Sequence, residues 1–278
     1  MQKPIYSCIW YNHQATEAAD FYTNLFPNSH ILQQNPMVSS FELMGTKFMG
    51  LNGGPRYKPS PALSYYVYCG SDQEIELLYL ALLEGGNAVM PLGEYDWSKK
   101  YAWLCDKFGV YWQLDIQAIE ATQKIVPTLL FANDKFPRLK EAVNQYVQIF
   151  DNSSVRIESS YPAHFNFPEE RVMFCQYQLG SILFNAISSP NAHDFDFSPG
   201  NSFVIECDTQ EEIDFYWENL GKNGRYDQCG WLADQYGVSW QIVPSILPKL
   251  MSDPAKSKNV VQAFMKMQKF DIQTLVDA

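Results

Sequence analysis

The sequence predicts an α+β protein built from four β-α-β-β-β modules, forming two cup-shaped mixed sheets with helices on their outer sides. Three observations carry this expectation. The chain repeats itself once, each repeat reads as two such modules, and the composition can supply a core for both. Of 278 residues, 46% are hydrophobic, 15% aromatic and only 18% charged. A chain of that length and apolarity buries a sizeable core and is not disordered in the main.

The repeat is strongest near the end of each half. Trp103-Leu104-Cys105-Asp106-Lys107-Phe108-Gly109-Val110-Tyr111-Trp112-Gln113-Leu114 aligns without a gap on Trp231-Leu232-Ala233-Asp234-Gln235-Tyr236-Gly237-Val238-Ser239-Trp240-Gln241-Ile242, 128 positions later. Upstream, Ser64-Tyr65-Tyr66-Val67-Tyr68-Cys69 aligns on Ser202-Phe203-Val204-Ile205-Glu206-Cys207, 138 positions later. The change in offset gives the first half about ten extra residues, around 90–100. The boundary falls near residues 117–123. This divides the chain into a first repeat at 1–120, a second at 124–247 and a helical tail at 248–278.

The elements follow in order. Residues 5–11 are rich in β-branched and aromatic side chains and read as a strand. Apolar residues at 15, 18, 19, 22, 25 and 26 have helical spacing, which Pro27-Asn28-Ser29 stops. Residues 38–52 read as a hairpin around Gly45-Thr46, and 63–69 as a strand. Ser71 with Glu74 has the spacing of a helix cap, and Gly85-Gly86 ends that helix. Residues 101–104 and 110–114 form the last hairpin of the half. The second half repeats the order. It has a strand at 125–131, a helix over 139–150, strands about Gly180, a strand at 202–207 and a helix capped by Thr209 and Glu212. In the tail, Asp253-Pro254-Ala255 is expected to start a helix with apolar positions at 260, 261, 264, 265 and 267, covering the outside of a sheet or a partner.

Charge excludes several functions. Acids outnumber bases 31 to 20, for a net −11 and a pI near 4.8. Binding to nucleic acid or an anionic membrane needs dense Lys/Arg patches, so neither is expected. The longest apolar run, 77–83, is far short of a membrane span. No signal-peptide core is visible, which makes a cytoplasmic location the expectation. The six cysteines at 8, 69, 105, 175, 207 and 229 form no CxxC or other metal-ligand spacing and read as reduced thiols.

Three segments carry a family resemblance. They are Trp10-Tyr11-Asn12-His13-Gln14-Ala15-Thr16-Glu17-Ala18-Ala19-Asp20-Phe21-Tyr22, then Leu25-Phe26-Pro27-Asn28-Ser29, then Phe48-Met49-Gly50-Leu51-Asn52-Gly53-Gly54-Pro55. With the run from Cys229-Gly230-Trp231 through Gln241-Ile242-Val243-Pro244, they resemble the PhnB-like family, often labelled demethylubiquinone methyltransferase-like. That family belongs to the vicinal oxygen chelate superfamily of glyoxalases, ring-cleaving dioxygenases and bleomycin-binding proteins. The resemblance implies a tandem vicinal oxygen chelate fold. It also implies where a metal would sit in metal-dependent relatives. Those positions fall about residues 6–8 or 126–128, at Ser64 or Ser202, and at Gln113 or Gln241. None is His, Asp or Glu, so no glyoxalase-type metal and no cofactor is expected. Ser and Gln are weak neutral ligands for a dication.

The candidate ligand-binding residues are Trp10, Asn52, Ser202, Cys229, Trp231, Ser239 and Gln241. Gln241 and Ser202 are either polar anchors in an apolar cup or partners that satisfy each other, and Trp231 is either a stacking wall or core. Ser64, Trp103 and Gln113 would line an equivalent, degenerate pocket. The first half keeps the family's opening signature but has Tyr101-Ala102-Trp103 in place of Cys-Gly-Trp, and the second half does the reverse. Modules exchanged between halves would bring the two intact signatures into one pocket. The expected function is binding of an unidentified small molecule there. The alternatives are a metal-dependent lyase or dioxygenase, or a non-catalytic protein that sequesters an antibiotic or aromatic compound. The chain is expected as a monomer that is itself a fused pseudo-dimer, or as a homodimer.

Overall fold

Strand-forming runs and amphipathic helices alternate as the repeat requires. A computed structural model describes residues 5–116, 123–167 and 170–278. The expected boundary near 117–123 therefore lies almost wholly outside the described residues. The first module is β1 (Tyr6–Tyr11), α1 (Ala15–Leu25), β2 (His30–Gln34), β3 (Val38–Leu43) and β4 (Thr46–Asn52). The second is β5 (Leu63–Tyr68), α2 (Asp72–Leu83), β6 (Asn87–Tyr95), β7 (Ser98–Cys105) and β8 (Tyr111–Asp115). The third is β9 (Ile125–Phe131), α3 (Leu139–Ile149), β10 (Ser154–Ser160), β11 (Val172–Leu179) and β12 (Ile182–Ser188). The fourth is β13 (Asn201–Cys207), α4 (Gln210–Gly221), β14 (Arg225–Tyr226), β15 (Trp231–Ala233) and β16 (Ser239–Pro244). The tail adds α5 (Leu247–Ser252), α6 (Ser257–Phe264) and α7 (Ile272–Asp277). It turns at Asp253, whose carboxylate accepts from Ala255 N–H at 2.9 Å, so α6 starts four residues later than expected.

Helix starts are fixed by side-chain oxygens. Ser71 accepts from Glu74 N–H at 3.1 Å, and Thr209 accepts from Glu212 N–H at 3.2 Å. Only the second closes a reciprocal capping box. α1 has no cap of its own; Asn52, from the end of β4, accepts from Ala15 N–H at 2.8 Å instead.

The strands form two eight-stranded mixed sheets. The first runs β14-β15-β16-β13-β1-β4-β3-β2 and the second β10-β11-β12-β9-β5-β8-β7-β6. Each is sewn together at its centre by an antiparallel pair, β1 with β13 (Cys8 opposite Ser202) and β5 with β9 (Ser64 opposite Thr128). The first module thus pairs with the fourth and the second with the third, the exchange that the divided signatures predict.

Period-2 alternation then separates two faces. One face of both sheets feeds a single core that includes Ile9, Phe48, Tyr65, Trp112, Phe203 and Trp240. The opposite faces carry two small separate clusters, Tyr6, Cys8 and Val204 on the first sheet and Tyr66, Tyr68, Tyr101 and Val126 on the second.

The repeated Trp–Asp–Gly–Trp run explains how the sheets are tied through that core. The Asp106 carboxylate accepts from Phe108 and Val110 N–H (2.8 and 3.0 Å), the Trp112 indole (2.8 Å) and the hydroxyl of Tyr22 on α1 (2.6 Å). Asp234 does the same with Tyr236 and Val238 N–H, Trp240 and Tyr146 of α3. Burial pushes both carboxyls above the usual range, and the four donors work against that shift. Because α1 lies on the first sheet and Asp106 on the second, each Asp–Tyr bond crosses between sheets.

The extra residues of the first half lengthen the β6–β7 hairpin. β6 has nine residues, whereas its counterpart β14 has two. The tail takes over the vacated edge. Cys229 N–H donates to Met267 C=O and Gly230 N–H to Gln268 C=O, at 2.8 and 2.7 Å. Ion pairs match as well. Lys100 of β7 meets Glu76 on α2 at 2.6 Å, and Lys269 of the tail meets the repeat-equivalent Asp214 on α4 at 2.6 Å.

Candidate functional site

The free face of the first sheet gathers residues from both ends of the chain. β1 contributes Tyr6, Cys8 and Trp10. Its neighbour β13 contributes Ser202, Val204 and Glu206, in parallel register with Ser239, Gln241 and Val243 of β16. β4 adds Met49 and Leu51 beside β1.

Three zones follow. In the centre, Gln241 donates to Ser202 Oγ at 2.9 Å, and both are at most 5% exposed. This bond uses the Gln241 amide N–H and the Ser202 oxygen, and it involves neither the amide carbonyl nor the hydroxyl proton. The Cys8 thiol lies beside both; burial pushes it up to about 12, and its neighbours Gln241 and Ser202 pull against the shift. At one end Trp10 and Trp231, both half-buried, meet edge to face with ring centroids 5.9 Å apart. Tyr57 adds a third ring 5.1 Å from Trp10. At the other end the Tyr6 hydroxyl donates to Glu206 at 2.8 Å, and Lys47 pairs with the same oxygen at 3.1 Å. Lys47 Nζ also lies 3.7 Å from the Tyr6 ring centre. Burial first, then the Glu206 charge, holds the Tyr6 phenol far above its ordinary value.

The signature Asn52-Gly53-Gly54 supports this arrangement. The Trp10 indole donates to Gly54 C=O at 2.7 Å. A Cβ on Gly53 would lie 2.1 Å from the indole ring, so only glycine lets Trp10 sit there. Asn52 is engaged with backbone on both sides, accepting from Ala15 N–H and donating to Pro36 C=O at 2.9 Å. Cys229 is half-buried at φ +60° with its Sγ 3.6 Å from Phe264 C=O, and burial raises its thiol. The structure therefore brings Trp10, Ser202, Trp231, Ser239 and Gln241 onto one face, and it occupies Asn52 with capping and Cys229 with holding the tail.

Sequence reasoning named Tyr6 only within the implied metal position at residues 6–8, and it passed over Lys47 and Glu206. Strand alternation puts Glu206 on the face of Ser202, but its partners lie 159 and 200 positions away and leave no local signal.

On the second sheet the equivalent Gln113 donates to Ser64 at 2.7 Å and accepts from the Tyr101 hydroxyl at 2.6 Å. Trp103 lies on the same face. Tyr66, Tyr68 and Tyr101 fill much of it.

The metal positions implied by the fold can be tested on the first sheet. Cys8, Ser202 and Gln241 meet there; Gln241 bonds Ser202, both are neutral, and burial pushes the Cys8 thiol up, so the set offers no anionic ligand. This set does not fit a divalent ion. Among the described residues, no group of three or more His, Cys, Asp or Glu side chains is arranged to hold a metal.

A family model described as 3-demethylubiquinone-9 3-methyltransferase matches residues 3–115 and again residues 123–243. The chain belongs to that family. The two matches make each half a copy of the same family unit, in keeping with the repeat. Among solved structures, the chain is similar to the PhnB protein from Bacillus cereus at 35% identity, covering 41% of this chain and 98% of that one, with a TM-score of 0.39. Across most of its length it is similar to glyoxalase I from Zea mays at 9% identity, covering 89% of this chain and 96% of that one, with a TM-score of 0.57. The second likeness shows the tandem glyoxalase-like fold. Among curated proteins, none matches the chain. No helix among the described residues is long and apolar enough to cross a membrane.

Proposed function

We infer that the protein binds a small organic molecule on the free face of the first sheet, without a resident metal. One observation carries this reading: β1 (ending at Tyr11) and β13 (beginning at Asn201) lie far apart in the chain yet meet so that Trp10, Ser202, Trp231 and Gln241 share one face. The paired tryptophans offer an apolar wall, and the Ser202–Gln241 pair offers hydrogen bonds in the middle of it. A ligand seated there is ordered by stacking at the tryptophan end and by polar contacts at the centre. The Cys8–Ser202–Gln241 donor set argues for metal-free binding, because it has no anionic ligand to offset the desolvation of a dication.

A thermal-shift screen of aromatic and drug-like compounds tests the reading, since a ligand that binds only the native state raises its stability. Hits are expected whose shift is lost in Trp231→Ala and reduced in Gln241→Ala, while both variants keep the wild-type circular dichroism. Hits that survive both substitutions would place the ligand elsewhere. Elemental analysis of the purified protein tests the metal: stoichiometric nickel, zinc, manganese or iron would overturn the metal-free part.

A further inference from the structure

The free face of the second sheet has changed its chemistry rather than lost it. The repeat sets Tyr66, Tyr68, Tyr101 and Asp115 where the first sheet has Val204, Glu206, Cys229 and Val243. One aliphatic position has thus become a carboxylate, and three others have become tyrosines. The lengthened hairpin adds two more rings to the same place. Tyr95 and Trp97 stack with centroids 5.2 Å apart and planes at 22°. Tyr101 meets each of them edge-on at 5.6 Å. Tyr66 continues the row 6.2 Å beyond Tyr101.

The row runs from solvent to charge. Trp97 is 54% exposed at its outer end. At its inner end Tyr66 donates to Asp115, and Ser98 donates to the other Asp115 oxygen at 2.5 Å. Asp115 itself is 5% exposed. Burial and the Asp115 charge hold the Tyr66 phenol far above its usual value, so it remains a donor. On the same face the Trp103 indole N–H is buried without an acceptor among the described residues. The other charges of the hairpin are the exposed Glu94, Asp96 and Lys99 together with Lys100, and Lys100 is held by Asp72 and Glu76 on α2. An aromatic fill alone would not call for a tryptophan left in water, and the carboxylate beneath the rings adds a negative charge behind them. Electron-rich ring faces backed by an anion attract an organic cation.

We propose that the aromatic row Trp97–Tyr95–Tyr101–Tyr66, backed by Asp115, is a second binding site for an organic ammonium ion that also carries a hydrogen-bond acceptor. The ammonium lies against the rings, where Asp115 contributes its charge, and the acceptor serves the Trp103 indole. This site is separate from the one inferred on the first sheet and does not depend on it.

Isothermal titration calorimetry of the full chain with choline tests it, with 3,3-dimethylbutanol as the uncharged isostere. Choline is expected to bind saturably and the isostere not to. Trp97→Ala, on an exposed residue, and Asp115→Asn are each expected to weaken binding about tenfold, while Trp231→Ala on the first sheet leaves it unchanged. Circular dichroism establishes that each variant is folded, and Trp97→Phe, which keeps a ring, is expected to retain most of the affinity. Equal binding of the isostere, no saturable choline binding, wild-type affinity in both Trp97→Ala and Asp115→Asn, or loss of binding in Trp231→Ala would each overturn the proposal.

Discussion

Asp106 and Asp234 show how much of this interior rests on single side chains. Each is almost fully buried and accepts four hydrogen bonds, two from its own turn, one from a tryptophan and one from a helix of another module. Removing the carboxylate leaves those donors without water or partner, at about 1–3 kcal/mol for each unsatisfied group. Asp234→Ala is therefore expected to lower the unfolding free energy by at least about 3 kcal/mol in a urea titration, and Tyr146→Phe, which deletes one donor cleanly, by about 1 kcal/mol. The aspartates were visible in the sequence as matched letters of the repeat. Their tyrosine partners were visible only as helix-face residues, because the bonds span 84 and 88 positions. The inward Gln241–Ser202 pair was legible for the opposite reason: strand alternation and repeat register together put both on one face.

At the scale of elements, the Cys229-Gly230 dipeptide decides where the tail goes. Both backbone N–H groups pair with the tail, and Gly230 has φ +78°. A Cβ there would lie 2.5 Å from both Ile242 O and the Phe270 ring. Gly230→Ala is expected to cost about 1–3 kcal/mol through strain and overpacking. It is also expected to free the last thirty or so residues, read as faster trypsin cleavage at Lys256, Lys258 and Lys266 than in the wild type. Helix and inner-strand positions were readable from periodicity. The outer strands β2 and β10 carried no such signal, because four of the five residues of β2 and five of the seven of β10 are exposed. An edge strand with few apolar residues on either face looks like a loop in sequence. The tail's part in replacing a hairpin edge was likewise invisible, since it depends on what the second half lacks.

For the whole molecule, the buried tyrosines of the core and of both free faces make stability sensitive to alkali. Burial holds Tyr6, Tyr11, Tyr22, Tyr65, Tyr66, Tyr101, Tyr146 and Tyr177 above the free phenol value of 10.0, in several cases reinforced by a nearby carboxylate. Above about pH 10 the unfolded chain loses these protons while the native one keeps them, so the native state binds more protons and stability falls as pH rises. Thermal melts followed by circular dichroism should give a midpoint that declines steeply from about pH 10 upward. The tyrosine absorbance near 295 nm should rise with unfolding rather than before it. The exchange of modules was the part of the architecture that composition could not supply. It became readable only because each half keeps a different piece of the family signature, and a single cup needs both.

That exchange also sets a timetable for synthesis. The second sheet uses strands up to Ser188 and is fully translated while the first still lacks β13. β1 ends at Tyr11, yet the strand that flanks it begins at Asn201. At about 5–20 residues per second, β1 waits roughly 10–40 s for that neighbour. During the wait one of its edges is open, and the face that holds Trp10 stands beside an unfilled gap. β1 thus completes its sheet only after every strand of the second sheet has been made, and the nascent first module is the stage at which a shielding chaperone has most to cover.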